Sequence, residues 1–187
     1  MSNQPSAPQM TQMPQMAQPA EPGVLTKGSA ADSLGGKFLT FYLGEEEYAL
    51  EILKVHEIIG MMPITFVPRT PAFVRGVINL RGKVITVVDL RAKFGMAAVE
   101  QTDQTCIIVV QTGGMEMGII VDKVSEVLNI PGQDIEEAPS FGAGVDTDFI
   151  LGIGKTSGRV RLLLDIDRVL AGQEVLEIRS ALAGGEN

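Results

Sequence analysis

Short apolar runs separated by turn residues dominate the chain from residue 37 onward. Runs of this length, rich in β-branched residues, are typical of β-strands rather than helices. The pattern predicts ten strands, at residues 38–43, 48–52, 55–59, 74–80, 84–90, 105–111, 115–121, 124–128, 149–153 and 160–166. Many short strands at this spacing are typical of barrels and sandwiches, so we expect an all-β fold.

Glycine-containing segments mark the tightest turns in this pattern. Arg81-Gly82-Lys83 and Gly113-Gly114 each stand between two apolar runs. Glycine adopts positive φ without a steric cost, so each segment predicts a β-hairpin. The segment Gly44-Glu45-Glu46-Glu47 predicts a third hairpin, whose tip we expect to be charged and solvated.

Helical signals are few and short. The Thr-Pro pair at residues 70–71 predicts one helical turn, because threonine caps a helix and proline suits its first position. A second turn is expected at residues 90–94. Near the C-terminus, Val175, Ile178 and Leu182 recur at i, i+3 and i+7, which predicts an amphipathic helix. This helix either covers the core of the strand-rich domain or presents a docking face.

The N-terminal segment, residues 1–36, consists mainly of Pro, Gln, Met, Ser and Ala and lacks aromatic residues. Such a segment cannot bury enough apolar surface to offset its ordering entropy, so we expect a disordered tail. Met10, Met13 and Met16 could dock on a partner as a helix, but interleaved prolines oppose this. The chain is therefore divided into this tail, a strand-rich domain at residues 37–170, and a C-terminal helix and tail at residues 171–187.

Charge and hydropathy exclude two classes of partner. The chain has 15 Lys and Arg against 23 Asp and Glu, a formal net charge of -8, and only 5% aromatic residues. A nucleic acid or an anionic lipid surface would therefore be repelled. The sequence shows neither a signal peptide nor an apolar stretch long enough to span a bilayer. We expect a cytoplasmic protein without direct membrane insertion.

The chemistry of the side chains argues against an enzyme. His56 is the single histidine and Cys106 the single cysteine, so His/Cys metal clusters, histidine-based triads and disulfides have no candidates. The pairs Asp165/Asp167 and Asp146/Asp148 are explained by capping and turn roles. We expect no catalytic residue, no cofactor and no metal.

One glycine-rich segment suggests a phosphate-binding loop but does not meet its requirements. Gly152-Ile153-Gly154-Lys155-Thr156 ends as a Walker loop does, but Phe149 stands where the first glycine is needed. A strand pattern follows it, whereas a phosphate loop requires a helix N-terminus at that point. A β-turn is expected instead.

The segment from Pro71 to Arg91 carries the most specific pattern, PAFVRGVINLRGKVITVVDLR. It resembles the central signature of CheW-type chemotaxis coupling proteins, in which a G-V-x-N-L-R-G strand and turn precedes a second strand ending in D-L-R. The similarity continues on both sides and spans residues 37–170. Thr86 replaces a frequent proline of that signature.

This resemblance implies a fold and a role. The fold is two five-stranded SH3-like β-barrels that share an apolar interface, with few short helices. The role is a non-enzymatic scaffold or adaptor in the cytoplasm, recruited to receptor arrays. It couples the cytoplasmic tip of methyl-accepting chemotaxis receptors to the regulatory domain of a CheA-type histidine kinase. The alternative is the adaptor of a related chemosensory pathway that controls pili, gliding or gene expression.

The same resemblance implies a set of partner-binding residues. Positions tied to receptor or kinase contact in the family correspond to Val55, Glu57, Gly76 and Arg81, with Arg75 and Asn79 as further candidates. An arginine at a hairpin tip offers a planar set of donors to a partner. Alternatively, the Arg81 guanidinium serves the fold by binding nearby carbonyls or Glu57. We expect Val77 and Leu80 to belong to the core.

Overall fold

β-Strands make up most of the computed structural model, which describes residues 33–142, 146–172, 175–178 and 180. The strands are β1 (Gly36–Leu43), β2 (Glu46–Glu51), β3 (Val55–Gly60), β4 (Val74–Leu80), β5 (Lys83–Asp89), β6 (Cys106–Thr112), β7 (Met115–Val121), β8 (Lys123–Ile130), β9 (Ile135–Glu136), β10 (Ile150–Thr156) and β11 (Arg159–Leu164). The short helices are α1 (Leu90–Lys93) and α2 (Ile166–Val169). The all-β prediction is confirmed, and β9 is the strand that it missed.

The strands form two sheets. Sheet A has the order β8-β1-β2-β11-β10-β9, and sheet B has the order β3-β6-β7-β5-β4. Most neighbours are antiparallel, but β2 pairs with β11 and β5 with β7 in parallel. Sheet A contains six strands rather than five because the short β9 joins its edge at β10.

Three apolar clusters hold the sheets together. The largest combines residues from both sheets, among them Phe41 and Leu50 of sheet A and Ile108 and Ile119 of sheet B. Each sheet also has a smaller cluster of its own, one around Phe38 and the other composed of sheet B residues such as Ile107 and Val109. The sheets therefore share an apolar interface, as the resemblance implied.

Both predicted glycine hairpins are present. Arg81 and Gly82 have φ values of 50° and 89°, and Leu80 pairs with Lys83 around them. Gly113 and Gly114 have φ values of 54° and 77° between β6 and β7. Two consecutive positive φ angles define the hairpin turn that matches the twist of the flanking strands.

Glu47 contradicts the expectation of a fully solvated hairpin tip. Glu45 and Glu46 are exposed, but Glu47 is buried and faces Arg161, which is buried as well. Glu47 Oε2 lies 3.0 Å from Arg161 Nε. A charge left unpaired in the interior would cost several kcal/mol, so each residue needs the other. The pair connects β2 to its parallel neighbour β11.

The helical predictions had mixed outcomes. α1 and α2 each begin after an aspartate, Asp89 or Asp165, whose side chain accepts a hydrogen bond from the backbone N–H three residues later. The predicted helical turn after Thr70 is wrong. Thr70 Oγ1 donates to Val67 O at 2.9 Å, and Val74 N bonds back to Pro71 O at 2.9 Å, so a turn leads directly into β4.

The C-terminal helix is present where the structure describes it. Residues 175–178 and 180 are helical, and Val175 is fully buried against the shared cluster. Ile178 packs on the same cluster. The core-covering alternative is therefore confirmed for these two positions, while Leu182 lies outside the described residues.

β4 contradicts the expectation that Val77 belongs to the core. Ile78 is buried, whereas Val77 is half-buried between the exposed Arg75 and Asn79. Val77 forms backbone hydrogen bonds of 2.8 and 2.9 Å with Thr65 instead. Val74, Gly76 and Ile78 are the buried positions of β4, so Val77 lies on the opposite face of the strand.

Asp167 links the two sheets through polar contacts. Its carboxylate accepts hydrogen bonds of 2.6 Å from Lys54 Nζ, between β2 and β3, and from Thr112 Oγ1, at the end of β6. Burial alone would raise the pKa of the Asp167 carboxyl, but the bonds from Lys54 and Thr112 outweigh it and lower this pKa. The same contact raises the pKa of Lys54.

We expect Asp167→Asn to be less stable than the natural protein at neutral pH, with a difference that shrinks in acid. A lowered folded-state pKa contributes stability above the unfolded value, about 3.9, and that contribution is lost as pH falls through the folded value. Urea midpoints measured from pH 7 to pH 3 test this. Asp103→Asn, in an exposed loop, is the control. A difference of the same size at pH 7 and pH 3 would contradict the prediction.

We also expect Ile78→Ala and Val77→Ala to differ in stability. Removing the buried Ile78 side chain should lower the free energy of unfolding by about 2–5 kcal/mol. The half-buried Val77 leaves no sealed cavity, so its replacement should cost less than about 1 kcal/mol. Urea unfolding at constant m-value measures both. Equal losses would place Val77 in the core after all.

Candidate partner-binding surface

Side chains from the two edge strands of sheet B meet at one end of the molecule. β3 and β4 are the outermost strands of this sheet. Nevertheless, Arg81 Nη2, at the tip of the β4–β5 hairpin, donates to Glu57 Oε1 on β3. The sheet therefore curls until its edges approach each other, and the Arg81–Glu57 pair spans the gap.

The backbone fixes the direction in which Arg81 points. Arg81 has a φ of 50°, a left-handed conformation that costs a residue with a Cβ about 1–2 kcal/mol. Asn79 Oδ1 accepts a hydrogen bond of 2.8 Å from Gly82 N and so closes the turn. The Arg81 side chain is 69% exposed, whereas that of Glu57 is 22% exposed. Arg81 thus binds Glu57 and still presents donors to solvent.

A second set of charges lies beside this pair. Glu116 on β7 accepts from Lys83 Nζ at 3.2 Å, and its other oxygen lies 3.2 Å from His56 Nδ1. Lys83 is 73% exposed and Glu116 only 17%. The cations therefore project outward while the carboxylates are recessed, which gives this surface a positive outer layer on a protein of net charge -8.

One exposed apolar side chain adjoins this surface and was missed by the sequence analysis. Val84 on β5 is 61% exposed. Val84 pairs with Asn79 across the hairpin, so it lies next to the turn that carries Arg81. The sequence could have indicated this exposure, because Val84 directly follows the charged hairpin tip, where an apolar side chain has no core to face.

Val55 lies where the two sheets join. It begins β3 directly after the 3₁₀ turn Ile52–Lys54 and packs, half-buried, against the shared cluster. A register shift follows, since Val55 pairs with Val110 and Glu57 with Val109. This bulge at His56 directs Glu57 toward Arg81.

Gly76 is buried and has a backbone role. Its φ is 135°, and a Cβ placed there would lie 2.0 Å from Thr65 O. Only glycine permits residue 65 to pair beside β4. Any effect of Gly76 on binding therefore acts through the shape of β4 rather than through direct contact.

Arg75 lies apart from the other candidates, at the opposite end of β4. Its Nη1 is 3.8 Å from Asp89 Oδ2. It borders a cleft of about 240 Å³ near α1, which also includes Arg91 and Asp122. The structure thus places Glu57, Asn79 and Arg81 together and separates Arg75 from them.

The arginine of the D-L-R motif has a structural role that the sequence analysis did not identify. Arg91 Nη1 donates to Asp122 Oδ2 at 2.6 Å, and the same oxygen accepts from Gly44 N at 2.7 Å. Arg91 also donates twice to Ala97 O, at 3.0 and 2.9 Å. It therefore connects α1 to the β1–β2 turn and fixes the segment that follows α1.

The glycine-rich segment at residues 152–156 lies inside β10 and is not a loop. A Cβ at Gly152 would lie 2.8 Å from Glu136 O, so this glycine permits close approach of β9. The expected turn is displaced to Ser157 and Gly158, both with positive φ. A phosphate loop is excluded because the segment pairs with β11 and precedes no helix.

The described residues contain neither a candidate metal site nor a candidate membrane span. Over the described residues, no three or more His, Cys, Asp and Glu side chains are grouped so that they could hold a metal ion. Within the same residues, no helix has the length and apolar character needed to cross a membrane.

The strand-rich part of the chain is similar in sequence to known proteins. The model of the CheW-like domain matches residues 37–174. The chemotaxis protein CheW of Klebsiella aerogenes is 40% identical over 146 residues, 78% of this chain and 88% of its own. The CheW of Rhizobium meliloti is 37% identical over 140 residues, 75% of this chain and 90% of its own.

A solved structure shows the same architecture. The scaffolding protein TtCheW of Thermoanaerobacter tengcongensis superimposes with a TM-score of 0.69 at 37% identity, over 75% of this chain and 96% of its own. Family model, sequence and fold therefore agree over the strand-rich part of the chain. The chain belongs to the CheW-like domain family.

Proposed function

We propose that this chain is a non-enzymatic adaptor that couples methyl-accepting chemoreceptors to a CheA-type histidine kinase. It acts in the cytoplasm and joins membrane-associated receptor arrays through these partners. Membership of the CheW-like domain family supports the proposal, as does the similarity to proteins named for chemotaxis and scaffolding.

One observation supports the location of a partner contact: the exposed surface around the Arg81–Glu57 pair. It combines outward cations, recessed carboxylates and the exposed apolar side chain of Val84. Protein interfaces combine an apolar centre with a polar rim in this way. Because Arg81 keeps free donors, a partner carboxylate can bind it with little change in the adaptor.

We expect Arg81→Ala and Glu57→Ala to weaken binding of the cognate kinase or receptor by about tenfold to a thousandfold, the range for loss of an interfacial charge pair. Their effect on folding should stay below about 1 kcal/mol, because exposed ion pairs contribute little to stability. Titration calorimetry with the purified kinase and co-sedimentation with receptor-containing membranes measure binding. Urea unfolding measures stability.

Lys155 and Glu136 supply the matched control. They form an exposed ion pair of 2.7 Å on sheet A, at β9 and β10. Lys155→Ala and Glu136→Ala remove the same kinds of charge and should leave binding unchanged. Suppose instead that Arg81→Ala and Glu57→Ala unfold at lower urea concentration but keep the natural affinity per folded molecule. The ion pair would then serve the fold, and the partner contact would lie elsewhere.

A second candidate is the adaptor of a related chemosensory pathway. The observation in its favour is 30% identity over 122 residues to Protein FrzA of Myxococcus xanthus, 65% of this chain and 76% of that protein. Co-purification from lysate of the source organism, with receptors identified by mass spectrometry, distinguishes the two. A receptor from a gene cluster for pili, gliding or transcription would favour the second candidate.

A further inference from the structure

The candidate surface includes the only histidine of the chain. His56 Nδ1 lies 3.2 Å from Glu116 Oε1, and the other oxygen of Glu116 accepts a hydrogen bond of 3.2 Å from Lys83 Nζ. The Glu116 side chain is 17% exposed, so this recessed carboxylate is shared between a half-exposed imidazole and an exposed ammonium group. Imidazole is the side-chain group that gains and loses its charge near neutral pH. The charge of this cluster therefore depends on pH.

Sheet A contains a counterpart of this cluster, because residues 149–166 repeat the structure of residues 73–90 position by position. Both hairpins have a register shift just before a glycine, Gly76 or Gly152. Both turns have two consecutive positive φ angles, and both second strands end at an aspartate whose N–H donates to a phenylalanine carbonyl at 2.8 Å. By this correspondence Arg159 is the counterpart of Lys83.

The recessed carboxylate is repeated as well. Glu116 precedes the parallel partner of Thr86, and Glu47 precedes the parallel partner of Leu162, the counterpart of Thr86. Glu47 is therefore the counterpart of Glu116. Its Oε2 lies 3.9 Å from Arg159 Nη1, so each recessed carboxylate lies near an exposed cation.

The two clusters differ in the second partner of the carboxylate. Glu47 faces the buried Arg161 at 3.0 Å, whereas Glu116 faces His56. A guanidinium keeps its charge throughout the physiological pH range, whereas an imidazole does not. The sheet A cluster thus has a fixed charge, and the sheet B cluster has a titratable one.

The charged groups around His56 leave Glu116 as its contact. β6, which lies between β3 and β7, contains no charged residue. The charged side chains nearest to His56 along the chain and across the sheet are already in ion pairs: Arg81–Glu57, Lys83–Glu116 and Lys54–Asp167. Among the described residues, Glu116 is the carboxylate that lies within ion-pair distance of His56.

We propose that protonation of His56 strengthens partner binding at the candidate surface and so makes coupling sensitive to pH, an inference that rests on the proposed adaptor function. The imidazolium binds Glu116 with a full positive charge, which releases the ammonium group of Lys83 toward a carboxylate of the partner. Each proton taken up adds one positive charge to the outer layer of the surface. The partner that fits is one whose contacting surface is acidic.

Linkage fixes the direction of the effect. If protonation of His56 favours binding, then binding favours protonation of His56 by the same factor. The gain in affinity is therefore present at pH 6 and lost as pH rises to 8, the range in which imidazole titrates. A coupling equivalent to one pH unit corresponds to about a tenfold change in affinity.

The test measures binding of the full chain at pH 6 and pH 8, at one ionic strength. Calorimetry is used for the purified CheA-type kinase, and co-sedimentation is used for receptor-containing membranes. The partner whose binding is weakened by Arg81→Ala should bind about tenfold more tightly at pH 6. His56→Gln, which is neutral at both pH values, should bind at pH 6 as weakly as at pH 8.

Lys83→Met and Arg159→Met form the matched pair of variants. Each keeps an apolar stem and removes an exposed cation beside a recessed glutamate, on sheet B or on sheet A. Lys83→Met should lose the gain at pH 6, while Arg159→Met should keep it. Thermal unfolding at both pH values checks that every variant is folded, which the exposure of these side chains leads us to expect.

The other outcomes contradict the inference in distinguishable ways. A gain that persists in His56→Gln would belong to titrating groups of the partner, and one that persists in Lys83→Met would not pass through Lys83. Equal affinity of the natural chain at both pH values would overturn the pH dependence and leave the adaptor function standing. Failure of both partners to bind at either pH would overturn the two proposals together.

Discussion

The structure depends on the packing of two sheets across one apolar cluster. Neither sheet alone can bury the faces that Phe41 and Leu50 contribute on one side and Ile108 and Ile119 on the other. Burial of apolar surface is the dominant favourable term in folding, so the cluster fixes how the sheets face each other. The polar links, Asp167 with Lys54 and Arg91 with Asp122, lie at its periphery and specify the alignment. The geometry of the candidate surface at Arg81 depends on this alignment.

Much of this fold follows from the sequence because β-strands leave a local signature. Runs of Val and Ile between glycines located ten strands and both glycine hairpins correctly. Local signals failed where a distant residue decides the conformation. Glu47 is buried only because Arg161 arrives from β11, and Val77 is half-buried in an edge strand that bonds to Thr65. Neither partner is adjacent in sequence, so pattern alone assigned both residues wrongly.

The candidate surface was predictable only in part. The resemblance supplied Glu57 and Arg81, and the structure shows an ion pair between them, a contact that the sequence analysis had considered. The resemblance did not indicate that Gly76 shapes the backbone, that Arg75 lies at the far end of β4, or that Lys83 and Glu116 flank the pair. Those assignments depend on how far the sheet curls, which is set by the bulges at His56 and Arg75.

The left-handed backbone of Arg81 has an evolutionary consequence. Asparagine or glycine occupies that conformation at lower cost, so selection for stability alone would replace the arginine. The guanidinium group offsets this cost by what it binds, and in this chain it binds Glu57. In a lineage that lost the need for this guanidinium, position 81 would be among the first to drift toward a better turn residue. If the surface around Arg81 binds a partner as we propose, the residue at position 81 would separate homologous chains that use this surface from those that do not.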